Sequence, residues 1–204
     1  MKTYRTLILI ILGWSIITVT NYFYTLYIFR GLYWLIASVI FILLTFIQII
    51  KLLQERNRLT KARLIKLGGF GLLFILTFYR NILDQQLEKF DWAINKSKRI
   101  EIVSEVKNGA LKPNVDHNNI IYELPYEFPI VSNGGNDIVI QKSDNEQFVT
   151  VKFWIFRNYF SSPQKLFVYT DDPKTINKIE EEIEEYPRFN WKLENNWYRV
   201  MERY

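Results

Sequence analysis

Thr6 to Phe29 is a run of 24 residues without a charge, TLILIILGWSIITVTNYFYTLYIF, preceded by Lys2 and Arg5. At about 1.5 Å per residue a helix needs roughly 20 residues to cross a ~30 Å hydrocarbon core, so this run is long enough to span. A helix that is apolar all round must be buried in protein or in lipid, and this constrains the chain more than any other feature. A basic start before an apolar run also fits a cleaved signal peptide. The run is long, however, and Thr18-Val19-Thr20 is a poor match to a small-residue cleavage site, so retention as a span is expected.

The far end of the run, Asn21 to Tyr27, is aromatic and is followed by Arg30, Gly31, Tyr33 and Trp34. Tyr and Trp favour the headgroup level, where the ring is buried and its polar edge stays wet, which predicts a turn at the membrane surface. A second span is expected over 33–50, with Gln48 and Lys51 marking its exit and the two helices forming a hairpin. A third is read over 64–83. Its strictly uncharged part, Leu67 to Tyr79, is only thirteen residues, nearer a buried or re-entrant helix than a span. Leu64, Ile65, Ile82 and Leu83 lengthen it to about 20 residues, provided Lys66 and Arg80 snorkel toward opposite headgroup layers. Gly68, Gly69 and Gly71 either allow close approach of a neighbouring helix or weaken the helix near its entry.

Between the second and third segments lies KLLQERNRLTKARLIK, residues 51–66, with Lys51, Arg56, Arg58, Lys61, Arg63 and Lys66 against the single acid Glu55. Short loops rich in Lys and Arg stay on the cytoplasmic side, and this loop outweighs the one near Arg30. With three spans the N-terminus is cytoplasmic, the hairpin tip outside, the loop 51–66 cytoplasmic and the C-terminal half extracytoplasmic. If the third segment does not cross, that half is cytoplasmic instead. Met1 to Leu83 carries ten Lys and Arg against one acid, whereas Asp84 to Tyr204 carries sixteen against twenty. The net charge of +5 therefore sits beside apolar segments and not on a soluble face, which argues for a lipid bilayer and against nucleic acid as partner. Cysteine is absent, excluding disulfides and thiolate chemistry. Richness in Ile, Lys and Asn suggests an AT-rich bacterial genome.

The remainder, 84–204, reads as one soluble α+β domain. Leu83, Leu87, Phe90 and Ile94 recur at helical spacing, continued less regularly by Ile100, Val103 and Val106 before the C-cap sequence Asn108-Gly109. The third segment and this helix are candidates for one continuous rod. From Ile120 the period changes to two. Strands are expected over 120–124, 137–142, 148–156 and 165–170, with turns at 132–136 and 143–146. Asp171-Asp172-Pro173 should start a helix with an Ile176, Ile179, Ile183 stripe, ended by Pro187. A hairpin over 189–193 and 197–201 closes what reads as an antiparallel meander. A leading helix before a meander is similar in outline to pilin-like subunits, but two further apolar segments depart from that pattern and no function is carried over.

Few constellations offer chemistry. His117 is the only histidine and lies in a turn composition, so no multi-histidine metal site and no general base are expected. Asp171 and Asp172 could act as paired carboxylates or hold a divalent ion, but capping of the next helix accounts for them. Glu180, Glu181, Glu182, Glu184 and Glu185 read as a solvated helix face. The turn 132–136 lacks GxGxxG and the Walker lysine, and Asn95-Lys96-Ser97 matches a glycosylation acceptor only by pattern. Aromatic residues are abundant, and Trp154, Tyr159 and Phe160 are candidates for a partner surface. The expected protein is a small multi-pass membrane protein of the bacterial cell envelope with an extracytoplasmic, non-catalytic binding or sensing domain and no cofactor. The alternative is an effector or assembly component whose helices oligomerise into a pore or complex. A protein partner or a homo-oligomer fits either.

Overall fold

A computed structural model describes residues 2–24, 27–54, 60–116, 118–143, 147–157 and 163–202. The chain is α+β and divides into two compact units, Met1–Lys89 and Phe90–Tyr204.

In the first unit the leading apolar run forms α1 (Lys2–Tyr24) and the next forms α2 (Tyr27–Gln54). Tyr4–Tyr24 and Leu32–Gln54, of 21 and 23 residues, have the length and composition to cross a membrane. They would measure about 32 and 35 Å. The third segment differs from expectation. α3 (Lys61–Phe78) is N-capped by Thr60, and its last turn closes through Tyr79 N–H to Ile75 O, with Tyr79 at φ −91°, ψ 46°. α4 (Arg80–Lys107) then starts at 77° to α3. Residues 64–83 are thus not one straight helix, and the continuous rod is not formed. The break falls where the apolar run meets Arg80-Asn81. By length and composition the described helices give two spans, or three if the bent pair counts as one.

The interior of this unit is Leu7, Ala37, Phe41, Phe70 and Leu73, with Ile10 and Trp14 packed against it. The helices also share polar contacts. Trp14 Nε1 donates to Thr77 Oγ1 at 3.1 Å, the Thr77 hydroxyl donates to Leu73 O, and Thr18 and Tyr33 are joined at 3.1 Å. A Cβ at Gly69 would come within 2.9 Å of a Leu7 methyl, so here the missing side chain does allow α1 and α3 to approach. At Gly68 and Gly71 a Cβ would meet nothing within 4 Å.

In the second unit α4 ends at Lys107, and Gly109, with a φ of +74°, carries the chain away from it, with Ala110 N–H bonded to Glu105 O. Six strands follow: β1 (Ile121–Glu123), β2 (Asp137–Lys142), β3 (Val149–Phe156), β4 (Gln164–Thr170), β5 (Trp191–Glu194) and β6 (Trp197–Glu202), with α5 (Pro173–Glu185) after β4. Their order in the sheet is β1-β2-β3-β4-β6-β5, every neighbouring pair antiparallel. The meander therefore holds only through β4. β4 and β5 both run antiparallel to β6 and so parallel to each other, and parallel strands need a crossover of a dozen or more residues. α5 supplies it, and β6 returns into the gap, turning through Asn196 at φ +62°.

Both faces of β3 are covered, which is why its residues are nearly all buried. One face packs on α5 through Val139, Trp154, Leu166, Val168, Tyr198 and Val200 against Ile176, Ile179 and Ile183. The other packs on α4. Trp92 meets Phe167 at 5.3 Å and Trp197 at 5.0 Å between centroids, beside the buried Ile138, Val151 and Phe153. Fully burying such a side chain contributes about 1.5–3 kcal/mol, so these two faces hold most of the unit's stability.

Candidate functional site

The apolar pattern Leu83, Leu87, Phe90, Ile94 suggests a core-facing stripe on α4, but the buried side of that helix lies elsewhere. Phe90, Ile94 and Ile100 are exposed, whereas Asp91, Asn95, Arg99, Ile102, Val103 and Val106 are buried. Asp91 and Asn95 each stand one position beyond, or about 100° around the helix from, the exposed Phe90 and Ile94, and Arg99 stands one position before the exposed Ile100. Asp91, Asn95 and Arg99 recur every fourth residue and form one network. Arg99 Nη2 donates to Asp91 Oδ1 at 2.7 Å and Nε to Val131 O at 2.9 Å, and Asn95 Nδ2 donates to Asp91 Oδ1 and to Ile130 O. The guanidinium lies 4.5 Å from the centroid of Phe167. This ladder pins the segment 130–131 to α4, and it occupies the Asn95 amide that the glycosylation pattern would require. On sequence alone an acid, an amide and a base at this spacing read as a solvated face.

The candidate residues go to separate duties. Asp172 caps α5, its carboxylate accepting from Lys174 N, Thr175 N and, at 2.6 Å, the Thr175 hydroxyl. Those bonds hold its pKa below the usual carboxylate range. Asp171 turns the other way, accepting from Val149 N and from Lys107 Nζ, each at 2.7 Å. Partial burial pushes its carboxyl up, but the Lys107 ammonium and the Val149 N–H outweigh that and lower it, while the same bond raises Lys107. A folded-state pKa below the unfolded value stabilises above the unfolded value and is lost as pH falls through the folded one. Stability should therefore fall below about pH 4. Asp171→Asn should be less stable at neutral pH and flatter on that acid limb, as followed by tryptophan fluorescence in a pH titration of unfolding.

Glu180 faces Lys192 at 3.3 Å, and Tyr198 OH reaches the same carboxylate. Ser132 Oγ accepts from Trp154 N, and Asn136, at φ +59°, holds its turn by accepting from Val131 N and Ser132 N. Among the described residues no group of three or more His, Cys, Asp or Glu could hold a metal. His117 lies outside the described residues.

Of the partner-surface candidates, Trp154 is 5 % exposed and belongs to the core under α5. Its Nε1 donates to Gln164 Oε1, and the Arg157 guanidinium stacks 4.3 Å from its ring. The alternation with Lys152 suggests a surface face, but α5 covers it. Tyr159 and Phe160 lie outside the described residues, as do Arg56 and Arg58 of the basic loop. Of the loop's other cations, Lys51 ends α2 and Lys61, Arg63 and Lys66 lie on the first turns of α3. Arg63 Nη1 donates to Gln48 Oε1 at 3.0 Å, joining the facing ends of α2 and α3.

Among the described residues, two surfaces are of a kind that could engage something. One is the exterior of α1 and α2, where Leu9, Leu12, Ile16, Leu35, Leu43 and Phe46 are more than half exposed. A groove of about 460 Å³ lined by Ile10, Trp14, Ile17, Ile36, Ile40 and Leu44 runs between those helices with almost no polar lining. The other is a cleft of about 610 Å³ in the second unit, among Lys112, Ile120, Ile140, Gln141, Phe148 and Thr150 beside the start of α5. Its size and mixed lining suit a small ligand. Comparison with protein-family models, curated proteins and solved structures finds no match to this chain.

Proposed function

We propose that this chain is a multi-pass integral membrane protein of the bacterial envelope, anchored by α1, α2 and α3, whose C-terminal domain is a non-catalytic binding or sensing module. The apolar exterior of α1 and α2 carries the reading. A contiguous exposed apolar surface of this extent marks an interaction site, and two helices of spanning length make a bilayer the fitting occupant. The cations near Lys51 and Lys61 favour a cytoplasmic loop. With α3 as a third crossing, the domain lies outside the cytoplasm. The mixed cleft near Lys112 is the place where such a domain would take a small ligand.

Membranes prepared from expressing cells and washed with alkaline carbonate test the anchor. The protein should stay in the membrane pellet and be released only by detergent. Release by carbonate alone would make it peripheral and defeat the reading.

The assembly alternative draws on Gly68 and Gly71, where α3 offers open space for a second helix. Crosslinking in membranes that captures a discrete oligomer would favour it, and monomer alone would count against it.

A further inference from the structure

We propose that α4 is an interfacial helix that lies on the surface of the bilayer and beds its apolar stripe among the headgroups of anionic lipid. This rests on the membrane reading above. α4 is one uninterrupted helix of 28 residues, so the residues that share a face are set by its own backbone. Ile82, Leu83, Leu87, Phe90, Ala93 and Ile94 fall within an arc of roughly 140°. Ile82, Phe90 and Ile94 are 58 %, 56 % and 54 % exposed, and Leu83 and Leu87 are half-buried. Water is a poor neighbour for such a stripe, and three observations commit it to lipid.

The first is continuity along the chain. Leu72, Ile75 and Phe78 are exposed on α3 and Tyr79 at its end, and the stripe begins three residues later at Ile82. The second is direction. α3 and the start of α4 meet at 77°, so a helix leaving a crossing α3 runs close to the membrane plane, with aromatic Phe78 and Tyr79 at the bend where headgroups lie. The third is charge. Arg80 and Lys89 border the arc on opposite sides, both exposed and without an acidic partner among the described residues, where they would meet lipid phosphates. A face that is apolar but for Gln86, with cations along its edges, is the composition of a helix bound in the interface.

The chain has no cysteine, so single cysteines report cleanly. The full-length protein carrying Phe90→Cys, Ile94→Cys, Phe46→Cys on α2 or Asn177→Cys on α5 is labelled with an environment-sensitive fluorophore. It is then reconstituted into vesicles of phosphatidylcholine and phosphatidylglycerol and quenched with spin-labelled lipids or aqueous iodide. Labels at 90 and 94 should report a depth of about 5–10 Å, shielded from iodide, with 46 deeper and 177 aqueous. Arg80→Glu with Lys89→Glu should raise the iodide quenching at 90 and 94. Aqueous labels at 90 and 94 with a deep label at 46 would overturn the interfacial helix and leave the membrane anchor standing. An aqueous label at 46 would remove both. Shielding at 90 and 94 that comes with crosslinks between copies through those cysteines would assign the stripe to a second copy and overturn the proposal.

Discussion

Arg99→Ala should cost the C-terminal domain about 3–5 kcal/mol, a large share of the roughly 5–15 kcal/mol that stabilises a typical domain. Arg99 and Asp91 are both fully buried, and removing the guanidinium takes away the 2.7 Å ion pair of a carboxylate that has no access to water. It also removes the donor to Val131 O and vacates the space over Phe167. Replacing both partners by apolar residues of similar volume, Asp91→Leu with Arg99→Met, should recover much of the loss, because the desolvation cost of two charges disappears along with their attraction. Denaturant unfolding of the unsubstituted protein and the two variants, followed by tryptophan fluorescence, checks this. A loss below about 1 kcal/mol for Arg99→Ala would mean that the pair behaves as a surface ion pair.

Leu72→Arg should move the C-terminal domain to the other side of the membrane. Leu72 lies near the middle of α3 and is 56 % exposed, so with α3 as the proposed third crossing the new charge would face lipid. A central Arg raises the insertion free energy by about 2.5–3.5 kcal/mol, on the order of a hundredfold in equilibrium. α1 and α2 have apolar residues in excess and would absorb such a change. α3 does not: Lys61, Arg63 and Lys66 already load its start, and from Leu67 to Phe78 it offers only twelve uncharged residues. The same substitution at Leu43 of α2 should leave the domain where it is. Side-specific labelling of the domain reads both variants.

Much of the second unit was legible because its signals are local. Asp172-Pro173 sets the start of α5, Asn108-Gly109 the end of α4, and the alternation of residues 137–142 a strand with those limits. What escaped depends on partners distant in sequence. β6 lies between β4 and β5 because Val168 pairs with Tyr198 and Leu166 with Val200, and no local pattern of the hairpin shows which of its strands meets β4. Trp154 reads as a surface aromatic until α5 is placed over it. The bend at Tyr79 has neither proline nor glycine to announce it. On α4 two stripes compete, one apolar and one polar, and the polar one is buried because Asp91, Asn95 and Arg99 satisfy one another and the carbonyls of Ile130 and Val131.

The central claim, a membrane anchor with a cytoplasmic basic loop and an outward domain, is tested most directly by one labelling measurement. Asn177, exposed on α5, serves as the reporter of the domain. Cells expressing Asn177→Cys are treated with a membrane-impermeant maleimide before and after permeabilisation of the cytoplasmic membrane, with Lys61→Cys in the basic loop as the opposite reporter. The account predicts labelling at 177 while the cytoplasmic membrane is intact and at 61 only once it is opened. Labelling at 177 only after that membrane is opened would place the domain in the cytoplasm and contradict it.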